Sequence, residues 1–491
     1  MPTFDSAQKS TPNNLEVYRL EGFAARQTQL LQLHHWMTEH QDLPAIAISG
    51  EQGSGKTTLA TASAWNLFHH FTDGIIRVGA AGSHRFRLYD IVRTMDTVFG
   101  TTLTRVSTER WGISILEQLY QRKRLLILDE LSDATSEELN TLVSIIGHLH
   151  DANGQSRVLF IDRDFNPAIA DLVGHKHLHL KGLAPHNVKS FIRQRAPERV
   201  QPIALANEEE LFAITQGHPL ALRLLFGLML DYEWPDLVVM LQEMVDDDGV
   251  LSTNGLVALT VETFALLEPL AGPLLEQMVS ATGGASLVAL HDLFWADLGT
   301  DDDLEHTLNA LLERALLEMD RYNRRVVMHP MIRRYLAQNA TMLGEDWERT
   351  HARYYVGMAE QYLHIPVERW PEVDVEWGNI YRAADWCNAR VQRVWQRTPL
   401  EIIEDPNVDR TTLIGPTGDV HFVGDMQLAR RFALAMAHYA FWRHPLGIQR
   451  WLAAGATASL ALSDSRTHGL LLMNIGRQRF SPARWRKLSI G

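Results

Sequence analysis

Residues 50–58 read Gly-Glu-Gln-Gly-Ser-Gly-Lys-Thr-Thr, and the spacing of Gly50, Gly55, Lys56 and Thr57 suits the phosphates of a nucleoside triphosphate. Glycine at 50, 53 and 55 lets the backbone curl round a phosphate with its N–H groups inward, Ser54 and Thr58 adding contacts. Lys56 would reach the β- and γ-phosphates, and Thr57 would ligate Mg²⁺. Such a site needs an acid for the metal. The apolar run in Lys-Arg-Leu-Leu-Ile-Leu-Asp-Glu-Leu (123–131) ends on Asp129, suited to the Mg²⁺ shell, and Glu130. Glu130 can orient an attacking water or stand as a solvated acid at a strand end. In Ser-Arg-Val-Leu-Phe-Ile-Asp-Arg-Asp (156–164), Arg163 can contact a γ-phosphate and sense its loss, or pair with Asp162 or Asp164.

These groups meet only if the elements carrying them run side by side. Leu-Pro-Ala-Ile-Ala-Ile-Ser-Gly (43–50) is a short apolar run ending in glycine, as a buried parallel strand would. The residues after Lys56 have helical spacing, so the glycine loop joins a strand to a helix and meets a helix N-terminus. Residues 73–79 and 177–183 supply two more strands. Five strands separated by helical stretches predict a mostly parallel α/β sheet, with the ligand at the carboxyl ends of its strands.

With 491 residues, the chain is expected to hold three or four domains. A formal net charge of −13 disfavours general coating of nucleic acid. A single cysteine, Cys387, excludes a disulfide framework or a cysteine-rich zinc site and fits a reducing cytoplasm. The polar N-terminus lacks the apolar core of a secretory signal, and no run is long enough to predict a membrane span. No Asn-Lys-x-Asp guanine-reading motif occurs, which favours ATP and ADP as ligands.

The order of the 50–58 loop, the 123–131 acids, Arg163, Leu-Lys-Gly-Leu-Ala-Pro (180–185) and Gln-Gly-His-Pro-Leu-Ala-Leu (216–222) resembles the STAND class of signal-transduction P-loop ATPases, near its NB-ARC branch. The resemblance covers roughly residues 20–395. It implies that Arg26, in Phe-Ala-Ala-Arg-Gln (23–27), lies near the adenine; Ala25 and Gln27 depart from the motif's glycine and acid. It implies that Pro219 packs on the nucleotide, although Pro219 is also well placed simply to start a helix. Residues 255–340 resemble the class's winged helix, with an amphipathic helix over 301–319 and a hairpin tip at 320–325. Val-Met-His-Pro (327–330) resembles the motif whose histidine contacts the ADP β-phosphate. His329 takes that part, or is a helix cap; Pro330 replaces the usual acid.

The implied architecture is a polar leader and lead-in segment at 1–40, a P-loop nucleotide domain at 41–185, a small helical domain at 186–250, a winged helix at 251–342 and a TPR-like helical region at 343–491. In the last region, residues 346–363 and 372–395 have aromatic stripes expected to be core, residues 399–425 read as a long loop, and about one and a half repeats follow. The basic end, 477–491, is expected to be a frayed tail. The function expected is an ATP/ADP switch with slow hydrolysis, closed with ADP and opening or assembling with ATP, engaging a protein partner through the helical region. An AAA-type motor would use the same residues. Direct DNA binding ranks third, because Asp301, Asp302, Asp303 and Glu305 open the helix that would read DNA.

Overall fold

The computed structural model describes residues 11–15, 26–38, 43–79, 86–131, 134–151, 154–242, 244, 251–320, 324–339, 344–366, 369–405, 407, 420–443 and 447–479. These divide between two compact units: the first draws on Met1–Thr94, Gly112–Val279 and Gly284–Ala340, the second on Met95–Trp111, Ser280–Gly283 and Thr341–Gly491.

The first unit opens with α1 (Gln27–Thr38), β1 (Ala45–Ser49), α2 (Lys56–Asn66), β2 (Gly74–Val78) and α3 (Leu88–Phe99), the last running into the second unit. It continues through α4 (Trp111–Leu119), β3 (Arg124–Asp129), α5 (Ser136–Asp151), β4 (Arg157–Asp162), α6 (Pro167–Val173) and β5 (His177–His179). The five strands form one parallel sheet in the order β2-β3-β4-β1-β5. Strands β1, β3 and β4 are buried along their whole length, and their interiors read as apolar runs between polar ends. Alternate residues Ile46, Ile48, Leu125, Ile127, Leu159 and Ile161 pack with Leu33, Met37, Leu59 and Ala64 of α1 and α2. Strand β4 lies between the strands that carry Gly50 and Asp129. Part of the polar leader is structural: Asn14 accepts from the Arg77 N–H and donates to its carbonyl, both at 2.8 Å, and Leu15 is buried.

Small helices follow: α7 (Pro185–Arg195), α8 (Gln201–Ala206), α9 (Glu208–Thr215), α10 (Pro219–Leu228) and α11 (Trp234–Gln242). Then come α12 (Thr253–Leu267), α13 (Ala271–Met278), β6 (Ala285–Ser286), the single turn α14 (Leu287–Ala289), α15 (Asp301–Glu313), β7 (Glu318–Asp320), β8 (Arg325–Val327) and α16 (Pro330–Asn339). Strands β6, β8 and β7 form an antiparallel sheet in that order. The helix expected over 301–319 is shorter. Its capping box, Thr300 with Asp303, fixes the start, but Ala315 takes a positive φ of 57° and the chain turns into β7. The hairpin tip at 321–323 lies outside the described residues. Regions 219–231 and 301–320 are clamped by the Arg314–Asp231 pair, with bonds of 2.9 and 2.6 Å, and by Arg223–Glu318. A Cβ on Gly227 would sit 2.9 Å from the Arg314 Cα, so α10 and the end of α15 touch at backbone level.

The second unit holds α17 (Glu345–Gln361), α18 (Trp370–Trp395), α19 (Pro399–Glu404), α20 (Val420–Arg443), α21 (Ile448–Ala461) and α22 (Ser465–Arg479). Its core is aromatic: the Trp377 ring centroid lies 5.8 Å from both Tyr439 and Trp451. His351, Tyr355, Ile380, Ala384 and Cys387 are buried. The stretch 399–425 is not one loop. Thr398 and Glu401 form a capping box and Pro399 starts α19, while residues 420–425 already belong to α20. Residues 406 and 408–419, and the basic end from 480, lie outside the described residues.

Candidate nucleotide site

The loop after β1 has the backbone that its glycines permit. Gly50, Gly53 and Gly55 have φ of 146°, 84° and 90°, a region L-residues avoid. A Cβ at Gly53 would meet the His218 ring and Leu220 at 2.8 Å, and one at Gly50 would collide with the Leu180 carbonyl. Helix α2 begins at Lys56, directly behind the loop. The Ser54 hydroxyl is buried in the loop without a hydrogen-bond partner. Glycine curvature, a helix N-terminus and an orphaned hydroxyl together fit a phosphate chain.

Parallel pairing of β3 with β4, and of β4 with β1, brings the acids to the loop. Thr57 Oγ1 donates to Asp129 Oδ2 at 2.9 Å, although 72 residues separate them. This hydroxyl and carboxylate could both enter a Mg²⁺ shell. The Lys56 ammonium donates to the Gly50 and Glu51 carbonyls at 2.6 and 2.7 Å. Burial lowers its pKa, opposed by Asp129, Asp162, Glu130 and Glu51. Glu130 has a φ of 60°, sparsely populated for a residue with a side chain, and its N–H donates to the Ile161 carbonyl at 3.1 Å. Desolvation and then the charge of Asp129 raise its pKa, while Arg77 and Arg333 act the other way. Arg163 is exposed at the end of β4, and its carbonyl accepts from the Gly50 N–H at 3.3 Å.

Arg26, which the resemblance implies lies near the adenine, is buried beside the loop. Its buried guanidinium donates to the Ser54 carbonyl at 3.0 Å and the Lys181 carbonyl at 2.8 Å, and burial lowers its pKa to about 10. It braces the loop from behind. The same segment receives the Gly-His-Pro turn: Leu183 N–H donates to the Gly217 carbonyl at 2.7 Å, and a Cβ at Gly217 (φ 69°) would strike Leu183. Pro219 is the first residue of α10.

His329 caps α16 by accepting the Met331 N–H on Nδ1 at 3.2 Å. That fixes the neutral tautomer with hydrogen on Nε2, leaving a donor. Burial lowers the His329 pKa to about 4; Glu318 opposes this, while Arg223, His218 and Lys56 add to it.

Two site residues carried no signal strong enough to be singled out in the sequence. Arg77, 3.6 Å from Asp129, is a lone charge inside the apolar strand β2. His218 lay inside a quoted motif, but its contact with the loop spans 166 residues.

Residues 26–197 match the NB-ARC domain family. No curated protein sequence matches the chain. Among solved structures, a STAND protein with a tetratricopeptide repeat sensor from Pyrococcus horikoshii is similar over 96% of this chain and 75% of its own, with a TM-score of 0.50 and 15% identity. A Walker-type ATPase of Pyrococcus abyssi covers 65% of this chain and 97% of its own, at TM-score 0.34 and 11% identity. Domain III of the Thermotoga maritima replication initiation protein DnaA covers 47% and 98%, at 0.33 and 13%. The site and the parallel sheet therefore define a P-loop NTPase fold followed by a helical region. Within it, residues 26–197 are the part similar to NB-ARC domains. Among the described residues no helix is long and apolar enough to cross a membrane.

Proposed function

We propose that this protein is an ATP/ADP switch: with Mg²⁺ it binds either nucleotide, is closed with ADP, and opens or assembles with ATP. The observation that carries this reading is His329. It caps the last helix of the first unit, Lys56 of the phosphate loop is among the charges that act on it, and its tautomer places a hydrogen on Nε2. A donor there that bonds a phosphate held by the loop would make the separation of the two regions depend on which nucleotide is bound. Residues 251–339, three helices longer than one turn ahead of a β-hairpin and its following helix, take the part of the winged helix. Thr57 and Asp129 hold Mg²⁺, Arg163 reads the γ-phosphate and Glu130 polarises water for a slow hydrolysis that resets the switch. The Pyrococcus horikoshii structure carries a tetratricopeptide repeat sensor in its name; here the helices of the second unit would engage a protein partner, and the ATP form would self-associate. The deciding experiment identifies the nucleotide that co-purifies and weighs the particle with ADP and with ATP. An ADP-loaded monomer that grows in mass with ATP supports the switch. A constitutive ring with fast turnover refutes it.

A further inference from the structure

The ring of His218 joins two parts of the first unit. Its Nδ1 accepts the Ala221 N–H at 3.3 Å, capping α10, and its Nε2 lies 3.0 Å from the Gln52 carbonyl in the middle of the phosphate loop. A nitrogen accepting from a backbone N–H carries no hydrogen, so the other nitrogen carries it: Nε2–H donates to Gln52. Beneath the ring lies Gly53, where a Cβ would stand 2.8 Å from His218 Cε1. The loop is therefore held at Gln52 by His218 and at Ser54 by Arg26.

We propose that His218 is a positioning residue for nucleotide binding, holding the loop in its phosphate-accepting curve only in the neutral Nε2–H tautomer. The inference rests on nucleotide binding at this loop and adds a second coupling, separate from His329, between the loop and the helices that follow it. Protonation would put a hydrogen on Nδ1, facing the Ala221 N–H, and break the cap. The charged groups facing the ring are Glu51 and Lys56 of the loop and helix start and Arg26 before α1, and His329 approaches from α16. Burial is the largest influence on His218 and lowers its pKa; the Gln52 bond and Glu51 oppose it. The ring is thus neutral near pH 7 and becomes charged only under acid.

Two substitutions separate its two contacts. In His218→Asn the side-chain oxygen can still cap α10, asparagine being a favoured N-cap, but the amide is too short for Gln52. In His218→Gln the amide can donate to Gln52 and does not titrate. The full chain is loaded with Mg²⁺ and a fluorescent ADP or ATP analogue, and release is followed by stopped flow from pH 7.5 to pH 5. At pH 7.5 the Asn variant should release nucleotide about twofold to twelvefold faster than wild type, the loss of one net hydrogen bond. The Gln variant should stay within about twofold of wild type and be less sensitive to acid, whereas wild-type release should accelerate as pH falls. Release from Asn at the wild-type rate would overturn the proposal. So would Gln as fast as Asn, which would assign the effect to ring packing on Gly53, or equal acid responses in wild type and Gln. A failure of nucleotide binding itself would appear in the wild type before any variant is compared.

Discussion

His329→Ala separates a lock from a helix cap. The substitution removes two interactions of different kinds. One is the cap on α16, the 3.2 Å bond from Met331 N–H to Nδ1, whose loss costs about 1 kcal/mol of stability. The other is the proposed Nε2–H donation to the ADP β-phosphate, a bond to a charged group contributing about 1.5–3 kcal/mol. At about 1.4 kcal/mol per factor of ten, ADP should leave about 10- to 150-fold faster. Without nucleotide the effect on folding carries a pH signature. The folded pKa of about 4 lies below the ordinary 6.5, so the unfolded chain binds the extra proton first. The stability from neutral His329 is complete above about pH 6.5 and is lost as pH falls toward about 4, with a ceiling of about 3 kcal/mol. His218 and His351 are shifted in the same direction, so the quantity to compare is wild type minus variant. Urea unfolding of the nucleotide-free proteins should show wild type about 1 kcal/mol more stable at pH 7, with the gap closing or reversing at pH 4.5. Stopped-flow ADP release should show the large acceleration at pH 7. A variant that is less stable but releases ADP at the wild-type rate makes His329 a helix cap alone, and the switch loses its lock.

Lys56→Ala removes the ammonium that now holds the Gly50 and Glu51 carbonyls and should weaken ATP binding by at least tenfold in a direct titration, since a charge-assisted phosphate contact is lost. Unchanged affinity would disprove the assignment of the loop. Glu130→Gln should leave ATP affinity within about twofold and slow single-turnover hydrolysis, because it removes the charge that polarises water while keeping shape; equal hydrolysis rates would make Glu130 a surface acid. Asp231→Ala strands the guanidinium of Arg314, 9% exposed, over the Phe264 ring. It should cost about 3 kcal/mol in urea unfolding of the full chain, and a loss below about 1 kcal/mol would show that solvent reaches the pair.

The sequence by itself determined what is local. Apolar runs over 45–48, 125–128 and 158–161 specify strands buried on both faces, and Gly50, Gly53 and Gly55 specify a backbone that only glycine adopts cheaply. The phosphate loop, the acids at 129–130 and the P-loop fold were legible for that reason, and the helix at 219–228 was legible as a run led by proline. Short elements were not: α19 has only six residues, and its capping box lay in a stretch rich in proline and glycine. The start of α15 was legible from its acids, but its end was not, because a turn through positive φ at Ala315 leaves no pattern in residue type. Tertiary structure alone decided which groups meet. Placing β4 between β1 and β3 brings Thr57 to Asp129, the crossing of residues 181–183 with Gly217 delivers His218 to Gln52, and the approach of residue 181 to the loop lets Arg26 bond both Lys181 and Ser54. Such contacts join residues tens to hundreds of positions apart, and residue type and short-range spacing hold no record of them, because they depend on strand order and loop path.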